Sequence, residues 1–348
     1  MHPFLSLKTL DNTDFIAISE CLLKPSSVVI ITHTNPDGDA IGSSLALSSY
    51  LLKKNHQVQV IVPDPFPDFL AWMWGHEKVM VFKSQETEAS SAIRKADIIF
   101  AADFNNLSRL NNAGQVVKES KAIKILIDHH LNPSDEFDLK ISIPETSSTS
   151  ELVFDFIEES GDLDLIDQNL AACIYAGIIT DTGSLSYSCN YVKTYRIIGE
   201  LIRSGIDGEH IHRLIYDTYS ENRLRLLGFS ISSQLVVLPE YHTAYIVLSE
   251  NDLHRFDYQI GDTEDVVNYA LSIKNINLAA LFMEREGMVK VSFRSKGHFS
   301  VDQFARDHFD GGGHSNASGA NCSKSLSETV ALFRELLPRY QAKLKSVY

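Results

Sequence analysis

A chain of 348 residues exceeds the usual span of one domain, and a composition of 44% hydrophobic and 22% charged residues is ordinary for a soluble enzyme. The net charge of -14, from 31 basic and 45 acidic residues with no basic tract, argues against long DNA or RNA as the main partner, because gripping a polyanion takes many Lys and Arg contacts to successive phosphates. No apolar run approaches membrane-spanning length and the N-terminal MHPFLSLKTLDNTD lacks signal-peptide architecture, so a cytoplasmic protein with no membrane partner is expected.

The first half alternates short β-branched runs with amphipathic stretches, the pattern of βα units that build a parallel sheet. Strands are predicted at 27–32 (SVVIIT), 57–62 (QVQVIV), 97–102 (DIIFAA) and 122–127 (AIKILI), with helical pieces at 41–53 and 91–95. Ser148, Thr149, Ser150 and Glu151 form a capping-box pattern, so a helix is expected to start there. Residues 191–228 look helical with polar breaks. Strands at 234–238, 245–248, 277–283 and 289–294 and helices at 265–272 and 327–344 then make a smaller α/β domain. The four cysteines, Cys21, Cys173, Cys189 and Cys322, lie far apart without a C-x-x-C pair, which suits reduced thiols.

The chemistry-bearing residues of the first half sit just past predicted strands. His33, Asp37 and Asp39 follow the first; Asp103 follows DIIFAA; Asp128, His129 and His130 follow AIKILI. Ligands of an open parallel sheet bind beyond the carboxyl ends of its strands, so these segments should converge on one crevice. A single Asp after a strand is most often a turn former or helix cap; it is the joint occurrence that points to a site. Aspartates gathered in one cleft repel one another unless a counter-charge is present. Carboxylates with a minority of imidazoles suit Mn²⁺ or Mg²⁺, and a pair of such cations is the expected cofactor, Mn²⁺ ahead of Mg²⁺.

HTNPDGDAIGS (33–43) and LIDHH (126–130) resemble blocks of the DHH phosphoesterase superfamily, AADFNN around Asp103 and GIITDTGS around Asp181 resemble two more, and FDGGGHSNASGA (309–320) resembles the Gly-Gly-Gly-His block of the DHH-associated C-terminal domain. The length and pairing look most like the branch of nano-RNases and 3′-phosphoadenosine-5′-phosphate phosphatases. This resemblance implies an α/β fold with an N-terminal parallel-sheet DHH domain (1–190), a helical connector (191–228) and a smaller substrate-binding α/β domain (229–348), with a cleft between the domains. It implies that His33 and Asp37 hold one metal, that Asp39, His129 and Asp181 hold the other, and that Asp103 bridges them. Asp128 would orient a histidine, and His130 would donate a hydrogen bond or a proton to the substrate.

Gly311, Gly312 and Gly313 leave the backbone free to form an anion nest, with His314 beside it. Arg294 could fork onto a terminal phosphate with help from Ser295, and Arg109 is a second candidate phosphate contact. The activity so implied is hydrolysis of short oligoribonucleotides and of 3′-phosphoadenosine 5′-phosphate to mononucleotides. A phosphodiesterase acting on linear or cyclic dinucleotides and a silent nucleotide-binding sensor are the alternatives, and a homodimer is left open.

Overall fold

The computed structural model describes residues 12–217 and 219–346. Most of the N-terminal stretch and residue 218 of the helical region therefore lie outside it. The chain divides into two compact units, Met1–Thr218 and Tyr219–Tyr348.

The first unit runs α1 (Asn12–Cys21), β1 (Ser27–Ile31), α2 (Gly38–Lys53), β2 (Gln57–Val62), β3 (Met80–Val81), α3 (Glu86–Lys95), β4 (Ile98–Ala102), α4 (Asn112–Glu119), β5 (Ile123–Asp128), β6 (Leu139–Ser142), α5 (Thr149–Glu159), α6 (Gln168–Asp181), α7 (Val192–Arg203) and α8 (Gly208–Tyr216). Its six strands are all parallel in the order β3-β2-β1-β4-β5-β6. Alternation along β1 sends Val28 and Ile30 to a core shared with α2, α5 and α6, and Val29 and Ile31 to a second core shared with α3 and α4. Burial on both faces is why β1 and β4 read as continuous apolar runs. The chain leaves β1 toward β2 on one side and reaches β4 on the other, so the strand order reverses between β1 and β4.

The second unit runs α9 (Glu221–Ser233), β7 (Leu235–Leu238), β8 (Thr243–Leu248), α10 (Glu250–Arg255), α11 (Val266–Ser272), β9 (Leu278–Arg285), β10 (Met288–Ser295), α12 (Val301–Phe309), β11 (Gly312–His314), β12 (Ala317–Cys322) and α13 (Leu326–Lys345). Its sheet has the order β11-β12-β10-β9-β8-β7, antiparallel except for the parallel pair β8 and β9. Leu278, Ala280 and Phe282 of β9 face one core, where Phe293, Phe304 and Phe333 meet; Ala279, Leu281 and Met283 face the other. In the stretch expected to be helical, α7 and α8 pack on α6 of the first unit, whereas α9 packs on α11 and β8 of the second.

The triple glycine departs from its expected conformation. Gly312 to His314 form a strand paired with β12, and the Gly313 N–H, one of the donors a nest would aim at an anion, already donates to Asp302 Oδ1 at 2.8 Å. Glycine is required there by close packing: a Cβ on Gly311 would lie 2.3 Å from the Gly319 carbonyl oxygen, and one on Gly313 2.6 Å from that of Ala317.

Candidate active site

β1 and β4 flank the point where the strand order reverses and β5 lies beside β4, and the residues that follow these three strands meet there. His33 follows β1, and its Nδ1 donates to the Thr34 carbonyl at 2.8 Å, so Nε2 is the nitrogen turned toward Asp103 Oδ2 at 3.4 Å and Asp37 Oδ2 at 4.0 Å. Asp37 caps α2, its Oδ1 accepting from the N–H groups of Asp39 and Ala40. Cap and candidate ligand are thus one residue: one oxygen is engaged by the helix and the other faces His33. This cap starts α2 at Gly38, three residues ahead of the expected 41.

Asp103 stands directly after β4 with φ of 67°, in the left-handed region that a non-glycine residue enters at a cost, Asp and Asn less than most. Its N–H continues the ladder to the Ile127 carbonyl at 3.0 Å, so the turn throws the side chain across the strand ends. Oδ2 faces His33; Oδ1 lies 3.5 Å from His129 Nε2 and 3.8 Å from His130 Nδ1. Asp128, the last residue of β5, receives the His130 Nδ1 proton at 2.7 Å and so sets the orientation of that ring.

Asp39 sits in the first turn of α2 and is buried. Its carboxylate accepts the backbone N–H groups of Thr149 (2.6 Å) and Ser150 (2.9 Å) at the start of α5. His129 Nε2 lies 3.9 Å from Asp39 Oδ2 and 3.4 Å from Asp181 Oδ2. Asp181 ends α6, where the helix dipole disfavours an acid, so its place there is not explained by helix stability. Close helix approach makes the arrangement fit: a Cβ on Gly42 would meet the Cys173 carbonyl oxygen of α6 at 2.6 Å, and one on Gly177 would meet Ser150 Oγ and, at 2.7 Å, Asp39 Oδ1. Gly38 packs closely as well, since a Cβ there would meet the Thr180 side chain of α6.

Three sets of ligand atoms among the described residues of the first unit converge within 4.8 Å: His33, Asp37 and Asp103; Asp39, His129 and Asp181; and Asp103, Asp128 and His130. The electrostatics show what such a site needs. Burial, with the charges of Asp103 and Asp181 added, raises the Asp39 pKa well above the usual carboxylate range, although the Ser150 hydrogen bond opposes this. Burial also works on Asp103, but the hydrogen bond from His33 and the nearby charges of His130, His33 and His129 outweigh it and hold this carboxyl low. Burial opposes charging of His33 and His129 as well; the surrounding carboxylates overcome it and raise both, with Arg109 pulling His33 the other way. Buried carboxylates that repel one another, interleaved with imidazole nitrogens, are a donor set suited to divalent cations.

The remaining candidates are placed less directly. Arg109 lies in a short 3-10 turn after β4, where its carbonyl accepts the Thr34 N–H at 2.9 Å. Arg294 is on the β10 face opposite Val291 and Phe293, its guanidinium donating to the Phe293 carbonyl. Ser295 is buried and has structural partners, donating to the Phe299 carbonyl at 2.6 Å and accepting from Asn316 at 2.9 Å. His314 is half-buried at the end of β11.

Residues that the motifs did not single out surround α5. Ser148 caps the helix by accepting the Glu151 N–H, but Glu151 does not complete a capping box: its carboxylate accepts from Ser147 Oγ and Thr194 Oγ1 and pairs with Lys193 at 3.1 Å. The run of hydroxyl residues, Ser147 to Ser150, was the available signal, since one cap needs only one of them.

A parallel sheet with carboxylates and imidazoles assembled beyond its strand ends suits a metal-dependent phosphoesterase, and the family models that match the chain show that it belongs to the DHH family. The model of the DHH family, N-terminal domain matches residues 27–178 and that of the DHHA1 domain residues 241–343. An exopolyphosphatase-related protein from Bacteroides fragilis superposes with a TM-score of 0.92 and is 41% identical, covering 97% of this chain and 99% of that one. The chain is also 28% identical to a probable bifunctional oligoribonuclease and PAP phosphatase NrnA of Streptococcus mutans, covering 89% of this chain and 94% of the relative. With the bifunctional oligoribonuclease and PAP phosphatase NrnA of Bacillus subtilis it shares 27% identity, covering 85% and 89%. No helix of the described residues is long and apolar enough to cross a membrane.

Proposed function

We infer that this chain is a two-metal phosphoesterase that hydrolyses short oligoribonucleotides and 3′-phosphoadenosine 5′-phosphate to mononucleotides, working in the cytoplasm. The observation that carries the reading is the position of Asp103, whose Oδ2 faces His33 and whose Oδ1 faces His129. In this reading His33 and Asp37 hold one cation, Asp39, His129 and Asp181 hold the other, and Asp103 belongs to both. Oxygen donors with imidazoles favour Mn²⁺, with Mg²⁺ as second choice. When bound, the pair supplies Lewis-acid activation of water and offsets charge on the phosphoryl oxygens.

The protein's own groups do the rest. Asp128 holds the His130 ring through its Nδ1–H, an orientation that suits His130 to donating to the leaving oxygen. Arg109, and in the second unit Arg294 and His314, are assigned to substrate phosphates, with Gly311, Gly312 and Gly313 forming the backbone beside His314. Ser295, occupied by Phe299 and Asn316, then acts by holding the loop after β10. A chain with 14 net negative charges meets a small phosphorylated substrate with local positive charge alone.

The test incubates the full chain with Mn²⁺ and, in parallel, an RNA dinucleotide, a long RNA, 3′-phosphoadenosine 5′-phosphate and a cyclic dinucleotide. Rapid conversion of the dinucleotide and phosphate release from the adenosine bisphosphate, with long RNA nearly untouched, is expected. Cleavage of the cyclic compound alone would move the chain to a signalling phosphodiesterase, and no turnover with any metal would make it a sensor.

A further inference from the structure

Thr149 belongs neither to the ligand set nor to the substrate contacts, yet it touches two of the candidate ligands at once. It is fully buried at the first position of α5. Its hydroxyl donates to Asp103 Oδ1 at 2.9 Å while its backbone N–H donates to Asp39 Oδ2 at 2.6 Å. The hydroxyl must be the donor, because an ionised carboxylate only accepts.

The need for such a contact follows from the torsions of Asp103. The backbone carries the carboxyl across the strand ends, but rotation about the last side-chain bond is broad and roughly two-fold, so the backbone alone does not decide where each oxygen's lone pairs point. A hydroxyl fixed against Oδ1 does decide it. The turn that presents this hydroxyl is itself held: Ser148 caps it, and Glu151 is tied to Ser147, Thr194 and Lys193. A β-branched side chain adds stiffness about its own first torsion.

We propose that Thr149 is a positioning residue for the metal pair, its hydroxyl locking the rotation of the Asp103 carboxylate so that the two oxygens address the two donor sets. The proposal rests on the two-metal reading above. The same residue sets Asp39 through its backbone, so a side-chain substitution separates the two contacts.

The experiment titrates Mn²⁺ into the full-length wild type, Thr149→Val and Thr149→Ser, following affinity by calorimetry and the exchange-coupled two-manganese signal by electron paramagnetic resonance. Valine keeps the shape and removes the hydroxyl; serine keeps the hydroxyl. Thr149→Val should bind Mn²⁺ about 10- to 100-fold more weakly, the usual loss when a group supporting a metal ligand is removed. It should also lose most of the coupled signal, and Thr149→Ser should restore both. Wild-type affinity and coupling in Thr149→Val, or a serine variant as impaired as the valine one, would overturn the proposal. A metal-free thermal melt verifies that each variant folds, and Thr149→Ala replaces valine if that variant does not. Wild-type protein that takes up no manganese pair would instead sink the two-metal reading, and the proposal with it, before any variant is compared.

Discussion

At Asp103 asparagine is the informative replacement, because it tolerates the left-handed backbone and keeps the shape while removing the charge. Asp103→Asn should lower turnover of 3′-phosphoadenosine 5′-phosphate by about 10³-fold or more, on the scale of losing a preorganised charge-stabilising group. His129→Ala should do the same, and both should keep a cooperative thermal melt; retention of most activity would refute the ligand assignment. Away from the candidate metal ligands, burial pushes Asp155 up to about 6, with the charges of Glu151 and Glu158 adding to this and Lys193, at 2.7 Å, opposing it. Between the ordinary carboxylate range and that value the folded state binds the extra proton, so this group's contribution to stability falls as pH rises through the window. Glu151 is shifted the opposite way, chiefly because Lys193 and its hydroxyl partners overcome its burial, and its contribution is lost as pH falls. Asp155→Asn should therefore raise the melting temperature more at pH 7 than at pH 4.5 relative to wild type. An equal change at both pH values would remove Asp155 as the cause.

Helix contact decides how tightly the site is built. Gly42 of α2 faces the backbone of α6, which has no rotamer with which to yield, whereas Gly177 faces the side chains of Ser150 and Asp39. Gly42→Ala should cost about 1 to 3 kcal/mol of stability, as overpacking does. Gly177→Ala should cost less stability but more Mn²⁺ affinity, since its new methyl group pushes on Asp39. Denaturant melts beside manganese titrations check both, and equal effects on the two measurements would refute the distinction. The elements most legible in the sequence were those with a local cause: β1, β2, β4 and β5 from β-branched runs, α2 from its apolar periodicity, and the start of α5 from Ser148. β11 was not legible, because Gly312 and Gly313 have no strand propensity and are strands only through pairing with β12. The gathering of His33, Asp37, Asp103, His129 and Asp128 was legible, since position at strand ends follows from parallel topology. The part played by Thr149 was not, because it depends on a contact between residues 46 positions apart.

Each unit has hydrophobic cores of its own, with Phe282, Phe293, Phe304 and Phe333 at the centre of one in the second. Such a unit has what independent folding requires. A fragment of residues 219–348 should show a cooperative urea transition by circular dichroism while binding no manganese pair, since the assigned ligands all lie in the first unit. A fragment without a cooperative transition would show that its folding depends on the rest of the chain.

Asp103 also has a meaning for how this sequence can change over generations. Its backbone conformation is one that glycine adopts without penalty. A descendant released from the need to bind metal would thus find glycine at this position permitted by the backbone. If Asp103 holds the cations, replacement of this one residue by glycine would be an early mark of a copy that has left catalysis behind.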